Sequence, residues 1–591
     1  MKHKKHYIEL LLSLPGKQHK GATISITIGE LTKVLNCTPR NVKLVLRRLV
    51  EEGFAAWSAG VGRGHISQLT VIRELEDVLT EHFNELLAKG KMKEAIAFIS
   101  SHELPPVLRD KLRAMLENRM GFQLEQAGAA NLDVLRVTVT RKLGIFDPAF
   151  AFTVTEVFLL EQIYSRLIDF DSATQRFLPS LAHAWESNDD YTAWTFYLRK
   201  GVGFHHGLLL TAEDVRFTLE RLREVHSPSC WQYEDIADIE IVSDYCLIFR
   251  LRQPNPFLLH FLSCAAMSIL PHDVVFSEQK MLGTGAFKLV EKAAQVLRLE
   301  AFDHYFRERA WLDLVEIWHI PSDAPRERQF TLPHMDAASG DHAGENNRAM
   351  DSLLDGCRYL IFNFSMPGIQ HQSTFRQALR LLLDRELLIA ELGGNRAIPA
   401  NSFLVASSEL ASYESGSLAD AEALLRASGY AGEVIELYYH GRPVEQQDML
   451  WLQQRAAAIG LHLNLHPYVI AEVSPQKLAQ FAHLMLATEV LENDTELGLL
   501  RLFYNEDSNL HHFLTIEQRE RLRSILARYV SLPSAAERAQ IVEEAEQWLR
   551  QDNWLLYLYH SRFQTQLPLA LQGLAIDSFG WLDFSKLWIK K

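Results

Sequence analysis

The chain has 591 residues, of which 48% are hydrophobic and 23% charged, and its net charge is −14. That length exceeds one core and predicts several domains, while the mixed composition excludes a disordered or collagenous class. The charge is uneven: residues 1–71 hold eleven Lys and Arg against four acids. A basic head therefore precedes an acidic body, the distribution expected when only the head meets a polyanion.

The opening MKHKKHYIELLLSLPGKQHKG places cations before a short apolar run. Glu9 interrupts that run, and Lys17 and Lys20 follow it without a small-residue cleavage site, so it does not read as an export signal. No stretch supplies the roughly 20 apolar residues of a membrane span. Cys37, Cys230, Cys246, Cys264 and Cys357 are scattered and form no CxxC pair, which suits a reduced compartment. The expected location is the cytoplasm, with no membrane partner.

Residues 27–36, TIGELTKVLN, open with Thr27 and Glu30 at capping-box spacing. A second helix starts at once: Thr38 caps, Pro39 suits the first helical position, and Val42, Val45, Leu46 and Leu49 form a buried stripe. Opposite the stripe stand Arg40, Lys43, Leu44 and Arg47, with Asn41 and Arg48 on the flank. Two short helices with a tight turn between them, the second basic outside, describe a helix-turn-helix. Strand-like runs at 54–58 and 66–72 flank a glycine-rich loop with Arg63 near its tip and His65 beside it, a wing suited to a groove or a phosphate. The expected DNA-contacting set is Thr38, Arg40, Asn41, Lys43, Leu44, Arg47, Arg48, Arg63 and His65. The plain alternative is a helical hairpin whose cations are only solvated; the order of cap, stripe, basic face and wing favours DNA. This head also resembles the N-terminal domain of SgrR-type bacterial transcription regulators.

Residues 73–126 are helix-rich, with Leu75, Val78, Leu79, Phe83 and Leu86 on one face and a break near SSHELPP. They read as a helical pair linking head and body.

From about Asn131 the segments follow one another in a recognisable order: LRVTV, a loop ending Phe146-Asp147-Pro148, a helix over EVFLLEQIYSRLIDFD, then LAHAWESNDDYTAWTFYLRKGVGFHHGLLLTAEDV, LGTGAFKLVE and FRQALRLLLDRELL. This order resembles the family 5 solute-binding proteins, receptors of peptide and nickel transporters. The resemblance implies a two-lobed type II binding fold. His205 and His206 fall in the family's G-V-x-F-H-D-G turn and lack ligand spacing, so they read as turn residues and not as a metal site. Gly283-Thr284-Gly285 lacks the Lys-Ser/Thr of a phosphate loop and reads as a turn. The family's ligand-pairing carboxylate has Glu489, Glu492 and Asp494 as its nearest counterparts. An anionic solute would want arginine, from Arg141, Arg358 or Arg396; the plain alternative for each is a solvated surface cation, where most arginines sit. The expected ligand-contacting set is Phe146, Arg141, Arg358, Asn363, Arg396 and Glu489.

The expected fold class is multidomain: a winged helix-turn-helix (α+β) at 1–72, a helical linker at 73–126 and a two-lobed α/β periplasmic-binding-protein-like domain at 131–591, its second lobe about 362–492. The expected function is a cytoplasmic one-component regulator that reads operator DNA with its head and senses a sugar phosphate, peptide or related solute in its cleft. Resemblance to the SgrR-type regulators implies control of transport genes. The partners implied are double-stranded DNA, a small solute and, for two heads on one operator, a second copy. A transport receptor is the alternative. No GxSxG, HExxH or paired nucleophile and base indicates an enzyme, and no cofactor or metal is expected. Lobe closure is expected to reach the head through 73–126, so that deleting this segment with both ends kept folded abolishes the response to solute and leaves each binding activity intact.

Overall fold

The computed structural model describes residues 2–14, 16–60, 66–101, 104–127, 130–139, 142–151, 153–320, 330–331, 347–409, 416–469, 473–506, 508–574 and 582–590. The chain opens with helix α1 (Lys2–Leu12), which buries Tyr7, Ile8, Leu10 and Leu11 on one side. Strand β1 (Thr23–Ser25) precedes α2 (Ile28–Val34), whose Thr27–Glu30 capping box forms in both directions. Asn36 takes a left-handed φ of 46° in the turn, a conformation Asn tolerates better than most residues. Helix α3 (Pro39–Glu51) starts on the Thr38 hydroxyl, which accepts the Asn41 N–H, and buries Val42, Val45, Leu46 and Leu49. Strands β2 (Ala55–Ser58) and β3 (Gln68–Val71) complete a three-stranded sheet of order β1-β3-β2. The expected wing cations Arg63 and His65 lie outside the described residues, as does Arg141.

Helices α4 (Leu75–Ala88), α5 (Met92–Ser101) and α6 (Pro106–Glu117) occupy the segment expected to be a helical pair. They are three, and they are not a free connector. Their buried residues, among them Val78, Phe83, Ile96, Leu112 and Leu116, share one apolar core with α1 and α3. Lys4 of α1 is buried against α4, its Nζ 2.6 Å from Glu85 and 3.0 Å from Glu81. The Tyr7 hydroxyl donates to the Arg73 carbonyl at 2.8 Å. The same core takes in Val296, Trp318 and Ile320 of the body. After α6, strand β4 (Gly121–Ala127) pairs antiparallel with β5 (Ala130–Val139), from Gly121↔Arg136 to Ala127↔Ala130. Segment 73–126 thus completes the head at one end and edges the body's sheet at the other. The segment is therefore no removable connector, because its deletion would expose buried apolar surface on the head and leave an edge of β5 unpaired.

In the first lobe β5 lies parallel to the strand Leu314–His319, followed by Val296–Ala301 and Phe287–Ala293. Helix α7 (Val154–Ile163) packs against this sheet; it ends at Ile163 instead of running on through Asp171, because Ile168–Asp171 forms a hairpin with Arg176–Pro179. A second, four-stranded antiparallel sheet is built from Ala182–Ser187, Ala193–Leu198, Cys246–Leu251 and Ile236–Ser243. Helix α8 (Ala212–Glu224) covers it, started by the reciprocal Thr211–Asp214 capping box. Near the C-terminus Phe584 returns to this lobe and meets Phe158 edge-on.

The second lobe is a seven-stranded sheet whose Ile435–His440, Leu463–Tyr468 and Leu484–Thr488 strands run parallel. Its strand Arg358–Phe362 is buried at every position, as a strand covered on both faces must be. The strand Leu555–Pro568 sits inside the sheet, beside Arg358–Phe362 and Asn347–Leu353. The second lobe's sheet therefore extends beyond 362–492 on both sides. Leu555–Pro568 is long enough to pair with three strands, Asn347–Leu353, Arg358–Phe362 and Arg396–Pro399.

Candidate nucleic-acid interface and interlobe site

The head presents one face to solvent. Burial of the Val42–Leu49 stripe turns Arg40, Asn41, Lys43, Leu44, Arg47 and Arg48 outward, all exposed, with Leu44 at 52%. Arg40 and Lys43 have no ion-pair partner among the described residues. Arg47 Nε donates to Glu51 Oε1 at 2.9 Å and Arg48 Nη1 to Glu51 Oε2 at 3.3 Å. The Thr38 hydroxyl is occupied by its capping bond. An exposed helix carrying four cations beside Asn41, and starting from a tight turn, has the shape and charge to enter a major groove.

The body's turn at Gly201–Gly207 is held by the first of its two histidines. The His205 backbone N–H donates to the Gly283 carbonyl at 2.9 Å, and its ring spans Gly283 N–H at 3.2 Å and the Gly285 carbonyl at 3.1 Å. That pairing requires the neutral ring with its proton on Nε2. Burial depresses its pKa to about 4. Gly283 and Gly285 pack so closely on the last turn of α7 that a Cβ on either would fall within 2.6 Å of the Ile163 carbonyl. Close approach explains the glycines, beyond the tight turn expected. His206 faces Asp273 at 3.3 Å. Among the described residues no group of His, Cys, Asp and Glu is arranged to hold a metal.

Where the lobes meet, Trp231 stacks on Tyr504 with ring centroids 5.1 Å apart and donates its Nε1–H to Asn505 at 2.8 Å. His260 Nδ1 lies 2.6 Å from Asp494 Oδ2. Beside these contacts the second lobe places Glu489 and Glu492 directly after the parallel strand Leu484–Thr488. Burial raises the Glu489 pKa to about 7, the Glu492 charge adds to the rise, and Arg501 opposes it. Glu492 is itself raised by burial although it pairs with Arg501, and Glu161 of the first lobe adds a repelling charge.

The neighbouring parallel strands end at His440 and Tyr468. Arg442 follows as the N-cap of the helix Pro443–Ala458; burial lowers its pKa, and it has no ion-pair partner among the described residues. Glu445, almost fully buried, accepts from the Thr488 hydroxyl on Oε1 and leaves Oε2 without a partner among the described residues. Carboxyl ends of parallel strands are where open α/β sheets bind ligands. Arg442, without an ion pair among the described residues, the Glu445 Oε2 and the two carboxyls with raised pKa values stand at or just beyond those strand ends, desolvated groups that make this a candidate binding face.

Of the ligand-contacting residues expected from sequence, Glu489 stands on this face. The placement corrects four others. Arg358 and Arg396 meet in the interior on Asp448, at 2.9 and 2.7 Å, with the Tyr559 hydroxyl donating to the same carboxylate at 2.6 Å. Asn363 spends its amide on the Ala479 and Ala482 carbonyls and accepts the Ser365 N–H. Phe146 is wholly buried in the first lobe, under Lys292. Sequence reasoning missed Arg442, Glu445 and Arg501; Arg442 had one local signal, its position before Pro443 at a helix start.

Residues 176–494 match the family described as bacterial extracellular solute-binding proteins, family 5. Residues 2–127 match the N-terminal domain described as sugar transport-related sRNA regulator. The chain is 31% identical to the uncharacterized protein YhjP of Bacillus subtilis over the full length of both. It is 24% identical to the HTH-type transcriptional regulator SgrR of Photorhabdus laumondii, over 97% of this chain and 96% of that one. In structure it resembles NikZ from Campylobacter jejuni, solved in complex with Ni(L-His), with a TM-score of 0.65 at 19% identity, covering 77% of this chain and 99% of that one.

Proposed function

Because this chain belongs to the family 5 solute-binding proteins and carries the N-terminal domain of the SgrR regulators, we propose that it is a one-component transcription regulator acting in the cytoplasm. The head binds operator DNA through the outer face of α3, and the body senses a small solute between its lobes. The observation that carries the DNA half is the segregation of α3 into a buried apolar stripe and an exposed face bearing Arg40, Lys43, Arg47 and Arg48. Phosphate contacts alone would be salt-sensitive and indiscriminate, so base readout falls to Arg40, Asn41, Lys43, Leu44 and Arg47. Among the described residues no helix is long and apolar enough to cross a membrane.

The solute offers an anionic group to Arg442, which has no ion-pair partner among the described residues, and a donor or positive group to Glu489 and Glu492. Ligand shifts the balance of open and closed lobes only by its differential affinity for them, and any effect on DNA affinity must be reciprocated. Two heads on a repeated operator would make a homodimer the working form. The test has two arms. Fluorescence anisotropy of the full chain with duplex DNA from its own upstream region is expected to show binding that weakens steeply with salt, and no binding to any duplex overturns the regulator reading. Native mass spectrometry with a metabolite extract is expected to capture one solute per chain, lost in Arg442→Ala.

A further inference from the structure

The exposed face of α3 contains one carboxylate that contacts its cations. Glu51, in the last turn, accepts from Arg47 Nε through Oε1 and from Arg48 Nη1 through Oε2. Arg40 and Lys43, a turn or more earlier, are untethered among the described residues. The bond to Arg47 uses Nε alone. Its Nη1 and Nη2 keep no hydrogen bond among the described residues, and the side chain stays 77% exposed despite the ion pair. A guanidinium held by Nε has its plane and direction fixed while the two terminal nitrogens point away as a fork, the pair that matches the N7 and O6 acceptors of guanine. An unrestrained arginine would surrender more rotamer freedom on contact and would settle as readily on a phosphate. Glu51 also brings a negative charge to the DNA-facing surface, which penalises any docking that gains phosphates without a base contact.

We infer that Glu51 is a positioning residue that sets sequence discrimination by α3: it aims Arg47 at a base edge and disfavours non-specific docking. This rests on the DNA-binding reading above.

The test uses the full chain. Wild type selects its preferred site from a random duplex pool, and affinities for that site and for a scrambled duplex are then measured for wild type, Glu51→Ala and Glu51→Gln. Glu51→Ala is expected to lower the ratio of specific to scrambled affinity by about tenfold, one base contact's share of discrimination, with scrambled binding unchanged or tighter. Its selected site should lose preference mainly at one base pair. Glu51→Gln, which keeps an acceptor for Nε without the charge, should retain that base preference while binding scrambled DNA more tightly. A ratio within twofold of wild type in Glu51→Ala overturns the proposal, as does an equal loss on both duplexes with an unchanged melting temperature. If the wild type selects no site, the DNA-binding reading itself has failed, and the proposal with it.

Discussion

Replacing Trp318 with alanine tests whether head, helices and first lobe form one cooperative body. Trp318 lies on the strand Leu314–His319, is 1% exposed, and belongs to the apolar core shared with α1, α3 and α4–α6. Its Nε1–H donates to Glu316 Oε2 at 3.0 Å, the oxygen that also accepts Arg136 Nε at 2.7 Å. Truncating a buried Trp costs about 3–5 kcal/mol, from lost transfer energy and the cavity left behind. Losing one donor to a buried carboxylate adds about 1 kcal/mol, the two Arg partners of Glu316 remaining. A total of about 4–6 kcal/mol corresponds to a fall in melting temperature on the order of 10 °C. Calorimetry gives the shift, and hydrogen exchange gives its location: amides of α5, α6 and α3 should lose protection together with those of β5. If the first lobe loosens while the α5 and α6 amides exchange at the wild-type rate, the continuous core carries no cooperativity, and the head is an independent module after all.

The other predictions concern the sites. Arg40→Ala and Arg47→Ala should each weaken binding to the selected DNA by about 1–3 kcal/mol if the contact is to a base, measured by anisotropy; equal loss on random DNA would reassign that residue to a phosphate. His205→Ala should lower stability at neutral pH by about 1 kcal/mol for each of its two ring hydrogen bonds. Because the folded pKa of His205 is depressed to about 4 from 6.5, its contribution is complete above pH 6.5 and is lost as pH falls through about 4, so the variant's deficit in thermal melts should shrink across that window. A deficit independent of pH would refute the buried neutral ring. Glu489 shows the opposite sign: its folded pKa is raised to about 7 from 4.5, so ionisation increasingly penalises the fold as pH rises between those values. Glu489→Gln should match wild type near pH 4.5 and melt higher above pH 7, and equal melting throughout would remove Glu489 from a desolvated wall.

Much of the head could be read directly. The Thr27–Glu30 and Thr38–Pro39 helix starts were legible because a cap is made between residues within one turn of each other. The stripe of α3, and hence which of its cations face solvent, followed from helical period alone. The GVGFHHG turn was legible as a turn, but its partner, Gly283–Gly285, lies some eighty residues on. Tertiary structure decided what no local pattern encodes. Arg358 and Arg396 looked like surface or cleft cations until the fold brought both to Asp448, with Tyr559 closing the cluster. Residues 73–126 looked like a connector because amphipathic helices announce that they must bury a face, not what they bury it against. Their partners are α1 and α3 on one side and Trp318, some two hundred residues away, on the other. Caps and periodicity arise from backbone geometry within one or two turns, whereas burial and ion pairing depend on which distant segments the packed chain brings together.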